Sequence, residues 1–223
     1  MIIRADDSRH APWVYYIFRF ILWSGLKIKT RLKVYNASVV PSSGGVIIAS
    51  NHASFLDPPI IGVSIKNRIV RFMARDTLFK HRALGWLLFK FGVVPLARDK
   101  GDATALKTAI RLLRSGQCVS LFPEGTRTVT GRLQEAKGGI GFLIHKSEVP
   151  VVPVFIRGTF EAWPKGAEKM RSHPVSVHFG PPISPQELMI SDERGKPDFD
   201  AIAKLVMSRI AMADPDYRQS QSM

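Results

Sequence analysis

The sequence has almost no cysteine and lacks the signatures of several common catalytic devices. Its 223 residues include one cysteine, Cys118, which excludes an intramolecular disulfide and any zinc site built from several thiolates. The six histidines form no His-x-x-x-His pair, so we expect no metal and no cofactor. A P-loop, a G-x-G-x-x-G turn and a G-x-S-x-G elbow are absent, so nothing supports nucleotide-dependent chemistry or a serine hydrolase. A single cysteine is compatible with a reducing compartment.

The sequence is also poor in acidic residues, with 18 Asp+Glu against 32 Lys+Arg and a net charge of +14. The excess lies in two blocks, residues 1–35 and 66–114, whereas residues 115–223 are nearly neutral. Both blocks mix basic residues with Phe, Leu, Ile and Trp, unlike the dense basic run of a nucleic-acid-binding tail. The charge therefore predicts an anionic membrane surface or a phosphorylated substrate as partner, and no nucleic acid.

An apolar and aromatic run near the N-terminus is short for a membrane span. Residues 11–26, broken only by Arg19, would span about 24 Å as a helix, against roughly 30 Å of hydrocarbon core. The run has no small-residue cleavage site. It contains four aromatic residues typical of the headgroup boundary, Trp13, Tyr15, Tyr16 and Trp23. Four basic residues follow: Lys27, Lys29, Arg31 and Lys33.

This pattern favours an interfacial helix, with a helix packed on the domain core and a true span as the alternatives. We expect residues 1–35 to form a membrane-associating helical segment and residues 36–215 to form the main domain. The protein is then predicted to be peripheral or monotopic on the cytoplasmic face of a membrane.

Short apolar runs alternate with helical periodicity after residue 36. Strands are predicted at residues 46–49, 69–74, 92–96, 118–122, 151–156 and 175–179. Helices are predicted at residues 58–66, 78–91, 103–114, 139–146 and 199–213. This alternation predicts a single α/β domain with a mixed, mostly parallel sheet flanked by helices.

Several positions carry local structural signals. Asp57 and Asp102 are expected to cap the helices that follow them, and Gly116 is expected to end a helix. Pro153 lacks a backbone N–H and predicts an edge strand or a bulge. Residues 214–223 are expected to fray.

A histidine and a carboxylate follow the first predicted strand, where the chain reads Ser50-Asn51-His52-Ala-Ser-Phe-Leu-Asp57-Pro-Pro. Because the prolines force a turn, the loop can fold back and let Asp57 accept the Nδ1–H of His52. The imidazole Nε2 would then be a general base. The alternative is a polar loop with a capping Asp57 and an ordinary histidine.

Two further strand ends carry charged residues. Glu124-Gly125-Thr126-Arg127 follows the fourth predicted strand, and its guanidinium, hydroxyl and backbone N–H groups can bind a phosphate. Arg98 follows the third predicted strand and adds a second guanidinium. The alternatives are a solvated turn with an internal Glu–Arg pair and a simple basic turn.

These motifs together resemble the glycerophospholipid acyltransferase family, particularly its 1-acylglycerol-3-phosphate acyltransferases. The segment from Asn51 to Asp57 resembles the family's NHx4D motif, and Phe122-Pro-Glu-Gly-Thr-Arg127 resembles its second signature. The segments Phe91–Arg98 and Val149–Val154 resemble the blocks between and after these motifs. The agreement in order and spacing covers roughly residues 45–160.

The resemblance implies an acyl transfer that forms phosphatidic acid in phospholipid biosynthesis. His52 would deprotonate the sn-2 hydroxyl of lysophosphatidic acid for attack on an acyl thioester, carried by coenzyme A or acyl carrier protein, and Asp57 would orient His52. The residues implied in acceptor binding are Arg75, Arg98, Glu124, Gly125, Thr126 and Arg127. Arg75 stands where the family commonly has Lys, and Thr77 stands where it has Glu.

The acceptor and the donor remain open at this point. Another lysolipid, an amino-acid-based lipid or glycerol 3-phosphate would fit the same motifs. A non-enzymatic basic protein that coats membranes is the remote alternative. The sequence specifies neither acyl-chain length nor oligomeric state.

Overall fold

The computed structural model describes residues 12–82, 85–86, 88, 92–96, 101–137 and 139–220. The strands are β1 Lys33–Tyr35, β2 Val46–Ser50, β3 Val70–Arg71, β4 Met73–Arg75, β5 Val94–Leu96, β6 Cys118–Leu121, β7 Val151–Arg157 and β8 Ser176–Phe179. The helices are α1 Pro12–Thr30, α2 Asp57–Ser64, α3 Gly101–Arg114, α4 Ile140–Ser147, α5 Thr159–Ala162, α6 Phe199–Ala213 and α7 Pro215–Ser220, with 3₁₀ turns at Ala37–Val39 and Asp76–Lys80.

Six strands form the main sheet in the order β1-β8-β7-β2-β6-β3. All neighbouring pairs are parallel except β7 and β8, which are antiparallel. Every residue of β2 is buried, as expected for a central strand covered on both faces. The prediction of an α/β domain with a mixed, mostly parallel sheet flanked by helices is confirmed.

Apolar side chains pack on both faces of this sheet, because successive residues of a strand point to opposite faces. Ile48 belongs to a cluster with residues of α1 and α2, such as Leu26 and Ile60. Ile47 belongs to a second cluster with residues of α3, α4 and α6. The sheet is therefore sandwiched between two helical layers, and its strand ends are left to carry polar groups.

One predicted strand and part of another form a second, separate sheet. The strand predicted at residues 69–74 divides at Phe72 into β3, in the main sheet, and β4, which pairs with β5 in a parallel two-stranded sheet. The Phe72 carbonyl accepts from Val94 N at 2.7 Å. The predicted helix at residues 78–91 is also only partly described. Its start is a 3₁₀ turn, and residues 82, 85, 86 and 88 are helical.

Pro153 lies in an interior strand, so the prediction of an edge position is wrong and the alternative of a bulge holds. Its strand β7 is hydrogen-bonded to β2 on one side and β8 on the other. The pairs Val154–Phe179 and Val151–Ile183 enclose an extra residue on the β8 side. The missing N–H of Pro153 thus falls where the ladder is already irregular.

Of the predicted helix-end signals Gly116 is confirmed, whereas the cap of α6 was not predicted. Asp198 caps α6 by accepting from Ala201 N at 2.9 Å, and α6 has the predicted bounds. Gly116 follows α3 with φ +81°, and its N–H donates to Leu113 O at 2.9 Å. The Asp102 side chain lies outside the described residues. Fraying of residues 214–223 is contradicted for residues 215–220, which form α7, and Asp216 of that helix pairs with Arg157.

Helix α1 packs one face on the domain and exposes an apolar face. Tyr15 and Leu26 are buried, and Arg19 Nη1 donates to Ile65 O at 2.9 Å and Lys66 O at 2.8 Å. On the other side Phe20 is 66% and Ile28 82% exposed. Among the described residues, no helix is both long and apolar enough to cross a membrane.

Candidate active site

His52 and Asp57 meet where β2 passes into α2. His52 Nδ1 lies 2.8 Å from Asp57 Oδ2, and the same oxygen accepts from the N–H groups of Ala53 and Ser54, each at 2.7 Å. Asp57 is fully buried, while the His52 side chain is 18% exposed. Three donors on one carboxylate oxygen favour the ionised carboxylate and the tautomer with hydrogen on Nδ1. Nε2 is then left with a lone pair that can accept a proton.

Asp57 does not cap α2, contrary to the prediction. The N-cap residue is Leu56, which makes no side-chain cap, and Asp57 is the first residue of the helix, followed by Pro58 and Pro59. Its carboxylate is turned back onto the preceding loop instead. A negative charge in the first turn still interacts favourably with the helix dipole, so the position serves both the loop and the helix.

The imidazole of His52 is also held by an aromatic ring. It stacks on Phe122 with ring centroids 4.0 Å apart and an interplanar angle of 18°. Phe122 directly follows β6, which pairs with β2. Neighbouring strand ends therefore supply the histidine and the ring that fixes its plane.

Glu124 holds the His52 loop through a hydrogen bond to its backbone. It is almost completely buried, and its Oε1 accepts from His52 N at 2.8 Å. Its Oε2 accepts from Gln134 Nε2 at 2.8 Å and from Gln134 N at 3.3 Å. Burial raises the pKa of Glu124, and the hydrogen bonds from His52 and Gln134 act in the opposite direction. Since protein donors use both oxygens, the geometry favours a positioning role over the predicted contact with an acceptor.

Two more polar residues tie this loop to the rest of the sheet. The Asn51 side chain donates to Ile156 O at 2.9 Å and accepts from Ile156 N at 2.7 Å. Ser54 Oγ donates to Trp163 O at 2.7 Å. These bonds join the exit of β2 to β7 and to the segment after α5, and they leave the loop little freedom.

Arg127 is a charged group close enough to Asp57 to interact with it electrostatically, and it has an unused donor. Its guanidinium carbon lies 3.4 Å from the ring centroid of Phe55, which is 56% exposed. Among the described residues, buried Arg127 Nη1 and Asp57 Oδ1 have no hydrogen-bond partner. Burial lowers the pKa of Arg127, and the Asp57 carboxylate acts in the opposite direction. A stacked guanidinium with free N–H groups is suited to a phosphate.

The other predicted acceptor-binding residues differ in position. Gly125 is exposed with φ +67°, and its N–H donates to Phe122 O at 2.9 Å, so this predicted donor is already used. Thr126 is half-buried, and its carbonyl accepts from Gln134 Nε2 at 3.3 Å. Arg98 and the side chain of Arg75 lie outside the described residues.

Sequence reasoning missed the roles of five residues of the site, which are Asn51, Ser54, Phe55, Phe122 and Gln134. Phe55 and Asn51 lie inside the quoted motif, but a spacing pattern does not show which way an aromatic ring or an amide points. Gln134 is in a segment without helical or strand periodicity, and no sequence signal marks it. Among the described residues, no group of three or more His, Cys, Asp or Glu side chains is placed to hold a metal ion.

The sequence profile of the acyltransferase family matches residues 31–157, which contain the whole site. The chain belongs to the acyltransferase family. Its recognition from the paired motifs is thereby confirmed.

Named acyltransferases of plants and bacteria are similar to this chain. A chloroplastic 1-acyl-sn-glycerol-3-phosphate acyltransferase of Brassica napus is 33% identical over 183 residues, which are 78% of this chain and 53% of the relative. The 1-acyl-sn-glycerol-3-phosphate acyltransferase of Bacillus subtilis (strain 168) is 29% identical over 158 residues, 71% of this chain and 76% of the relative. The chain thus spans about half the length of the Brassica acyltransferase.

The acyltransferase fold is also shared with a solved structure. The 1-acyl-sn-glycerophosphate (LPA) acyltransferase PlsC from Thermotoga maritima superimposes with a TM-score of 0.73 at 23% identity. The match covers 96% of this chain and 85% of that one. The match supports the fold described above.

Proposed function

We propose that this acyltransferase moves an acyl chain from a thioester to the sn-2 hydroxyl of 1-acylglycerol 3-phosphate and forms phosphatidic acid. The observation that carries the proposal is the 2.8 Å contact of His52 Nδ1 with the buried Asp57 carboxylate, next to the unused donors of Arg127. The names of the plant and bacterial relatives support the same acceptor.

In this mechanism His52 Nε2 takes the proton of the acceptor hydroxyl as its oxygen attacks the thioester carbonyl. The carbon–oxygen bond forms, and the resulting tetrahedral intermediate collapses by breaking the carbon–sulfur bond. The proton on Nε2 then goes to the departing thiolate, so His52 ends each cycle unchanged. Asp57 holds the ring and stabilises its protonated form. A thioester is already activated, so the proposed reaction consumes no nucleotide.

Arg127 is proposed to bind the phosphate of the acceptor, with Thr126 beside it. Arg98 and Arg75 remain predicted phosphate contacts from the family resemblance. Glu124 and Gly125 shape the turn that presents Arg127, and Glu124 also holds the backbone of His52.

A thioester-release assay with two donors and several acceptors tests the proposal. Acyl-CoA and acyl carrier protein are each offered with lysophosphatidic acid, with other lysophospholipids, with glycerol 3-phosphate and with no acceptor. We expect thiol release only with lysophosphatidic acid, and the faster donor identifies the natural carrier class. Release without an acceptor, or a preference for glycerol 3-phosphate, would contradict the proposed acceptor.

We also propose that α1 lies on the cytoplasmic face of a membrane. The support is the exposed apolar face of α1, which includes Ile17, Phe20 and Ile21, beside the basic residues that follow it. Replacing these three residues with Ser should abolish flotation with vesicles. A matched control replaces the exposed apolar residues Val129, Met189 and Met212 with Ser and should float like wild type. Because β1 belongs to the main sheet, point substitutions are preferable to deleting residues 1–35.

A further inference from the structure

An open cavity lies at the end of α2 away from His52. It has a volume of about 750 Å³ and is bordered by α1, by β1 with the 3₁₀ turn after it, and by the end of α2 and the residues that follow. Small-molecule sites typically have volumes of roughly 300–1,000 Å³. Six of its lining residues carry the argument: Trp23, Lys27, Lys33, Tyr35, Val63 and Lys66. We call this the lysine cavity.

The lysine cavity is separate from the catalytic pair. Asp57 begins α2, whereas Val63 and Ser64 at the other end of the helix line the cavity. Eight helical residues extend about 12 Å. None of the described residues that line it comes from the His52 loop or from the Glu124–Arg127 turn.

The charge of the lysine cavity is positive and uncompensated. Lys27, Lys33 and Lys66 line it, and no described lining residue is Asp or Glu. Within residues 12–75 the sequence has nine Lys+Arg and a single acidic residue, Asp57, whose carboxylate is buried against His52. No ion pair joins any of the three lysines to a carboxylate in the described part of the chain.

Two other basic side chains on this side of the molecule already have partners. Arg19 donates to the carbonyls of Ile65 and Lys66 just beyond α2, which offsets the negative end of that helix. Arg68 donates to Pro41 O and to Gly116 O. The three lysines line the cavity and have no described carboxylate partner, so they are available to an external anion.

The walls of the lysine cavity connect to the exposed face of α1. Trp23 is half-buried and lines the cavity, and its ring stacks on Phe20 with centroids 6.2 Å apart. Lys27 Nζ lies 5.5 Å from the Trp23 ring centroid. An apolar surface thus runs from the exposed face of α1 to a cluster of ammonium groups, a combination that suits an amphiphile with an anionic head.

A neighbouring cavity that is also lined by Lys33 and Tyr35 does not share this uncompensated positive charge. It is lined by Glu161 and by Arg157, whose guanidinium pairs with Asp216. Its positive charge is partly neutralised from within the chain, so the lysine cavity is the stronger candidate for an anion.

We propose that the lysine cavity binds the phosphate headgroup of an anionic phospholipid that is distinct from the acceptor at His52. The phosphate lies among Lys27, Lys33 and Lys66, and an acyl chain lies along Trp23 and Phe20. The inference rests on the proposed placement of α1 at a membrane, and its test is independent of acyl transfer.

The test uses dihexanoyl phosphatidylglycerol below its micellar concentration, with calorimetry of the full chain carrying Arg127→Ala to remove the proposed phosphate contact near His52. We expect one saturable site. The triple variant Lys27→Gln, Lys33→Gln, Lys66→Gln should bind at least about tenfold more weakly, because charge-assisted contacts are lost. The control Lys146→Gln, Lys196→Gln, Lys204→Gln removes the same charge from exposed lysines elsewhere and should bind within about twofold of its parent.

Three results would overturn the proposal. If both triple variants bound the lipid equally weakly, the lipid would be attracted by the overall positive charge and not by the lysine cavity. Equal binding of dihexanoyl phosphatidylcholine would mean an apolar site without headgroup selection, and inorganic phosphate that binds as tightly as the lipid would mean a free-phosphate site. Transfer to a soluble short-chain acceptor separates this proposal from the proposed function: His52→Ala should abolish transfer and keep lipid binding, and the triple lysine variant should do the reverse.

Discussion

The charged side chains at the two ends of α2 differ in burial and in how they are paired. At its first residue, the Asp57 carboxylate is buried and accepts from three donors that fix a single geometry. Beyond its last residue, Lys66 is exposed with Lys27 and Lys33, and none of them has a described carboxylate partner. The difference matches the two proposed tasks, since proton transfer needs atoms held within a fraction of an ångström, whereas headgroup binding tolerates flexible side chains.

The largest effect should come from removing the base itself. His52→Ala is expected to lower kcat by about 10³–10⁴-fold, because no other described side chain occupies the position of Nε2. Thiol release at saturating acyl-CoA and lysophosphatidic acid measures it. The midpoint of urea unfolding should stay close to wild type. Activity within tenfold of wild type in the folded variant would contradict the proposal that His52, at this end of α2, is the general base.

The next effect should come from the buried partner. Asp57→Asn is expected to lower kcat by about 10²–10³-fold. The amide accepts fewer hydrogen bonds than the carboxylate and no longer stabilises a protonated imidazole. The matched control is Asp200→Asn, in the first turn of α6, which should leave kcat unchanged. If both variants lose only stability and keep kcat, the fixed geometry at Asp57 is structural.

Arg127→Ala should act on binding more than on turnover. Loss of charge-assisted hydrogen bonds to a phosphate is expected to raise KM for lysophosphatidic acid by about 10–100-fold, with kcat within a few-fold. Steady-state kinetics with varied acceptor measure it. Arg209→Ala removes an exposed guanidinium paired with Glu187 and should leave KM unchanged. An unchanged KM in Arg127→Ala would place the phosphate elsewhere.

The smallest effect should come from the ring beneath that guanidinium. Phe55→Leu keeps apolar bulk and removes the aromatic face 3.4 Å from Arg127, so KM for the acceptor should rise by about 3–10-fold. Phe55→Tyr restores a ring and should recover most of the affinity. Equal KM values in all three proteins would show that the stack does not position Arg127.

The candidate catalytic loop was predictable because its information is local. Asp57 lies only five positions after His52 in the sequence, and the prolines after Asp57 limit where that carboxylate can lie. Helix α6 was predicted with its bounds for the same reason, since helical periodicity marks it within one stretch.

The parts that could not be predicted depend on contacts between distant segments. Glu124 lies 72 positions from the His52 N–H that it binds, so its role depends on β6 pairing with β2. Pro153 reads as an edge residue until the irregular ladder with β8 is known. The lysine cavity likewise combines α1, β1 and the end of α2. The sequence marks Lys27 and Lys33 as basic residues after the apolar run, but nothing in it joins them with Lys66 in one cavity.

The reactivity of Cys118 toward thiol reagents can report local unfolding of the sheet. The thiol is buried in β6, and burial raises its pKa to about 12, so in the folded protein it is protonated and shielded from thiol reagents. Because the sequence has no other cysteine, every labelled molecule marks an opening of the strand between β2 and β3. The labelling rate of each variant would therefore measure, without an added probe, whether lost activity comes from the site or from the sheet beneath it.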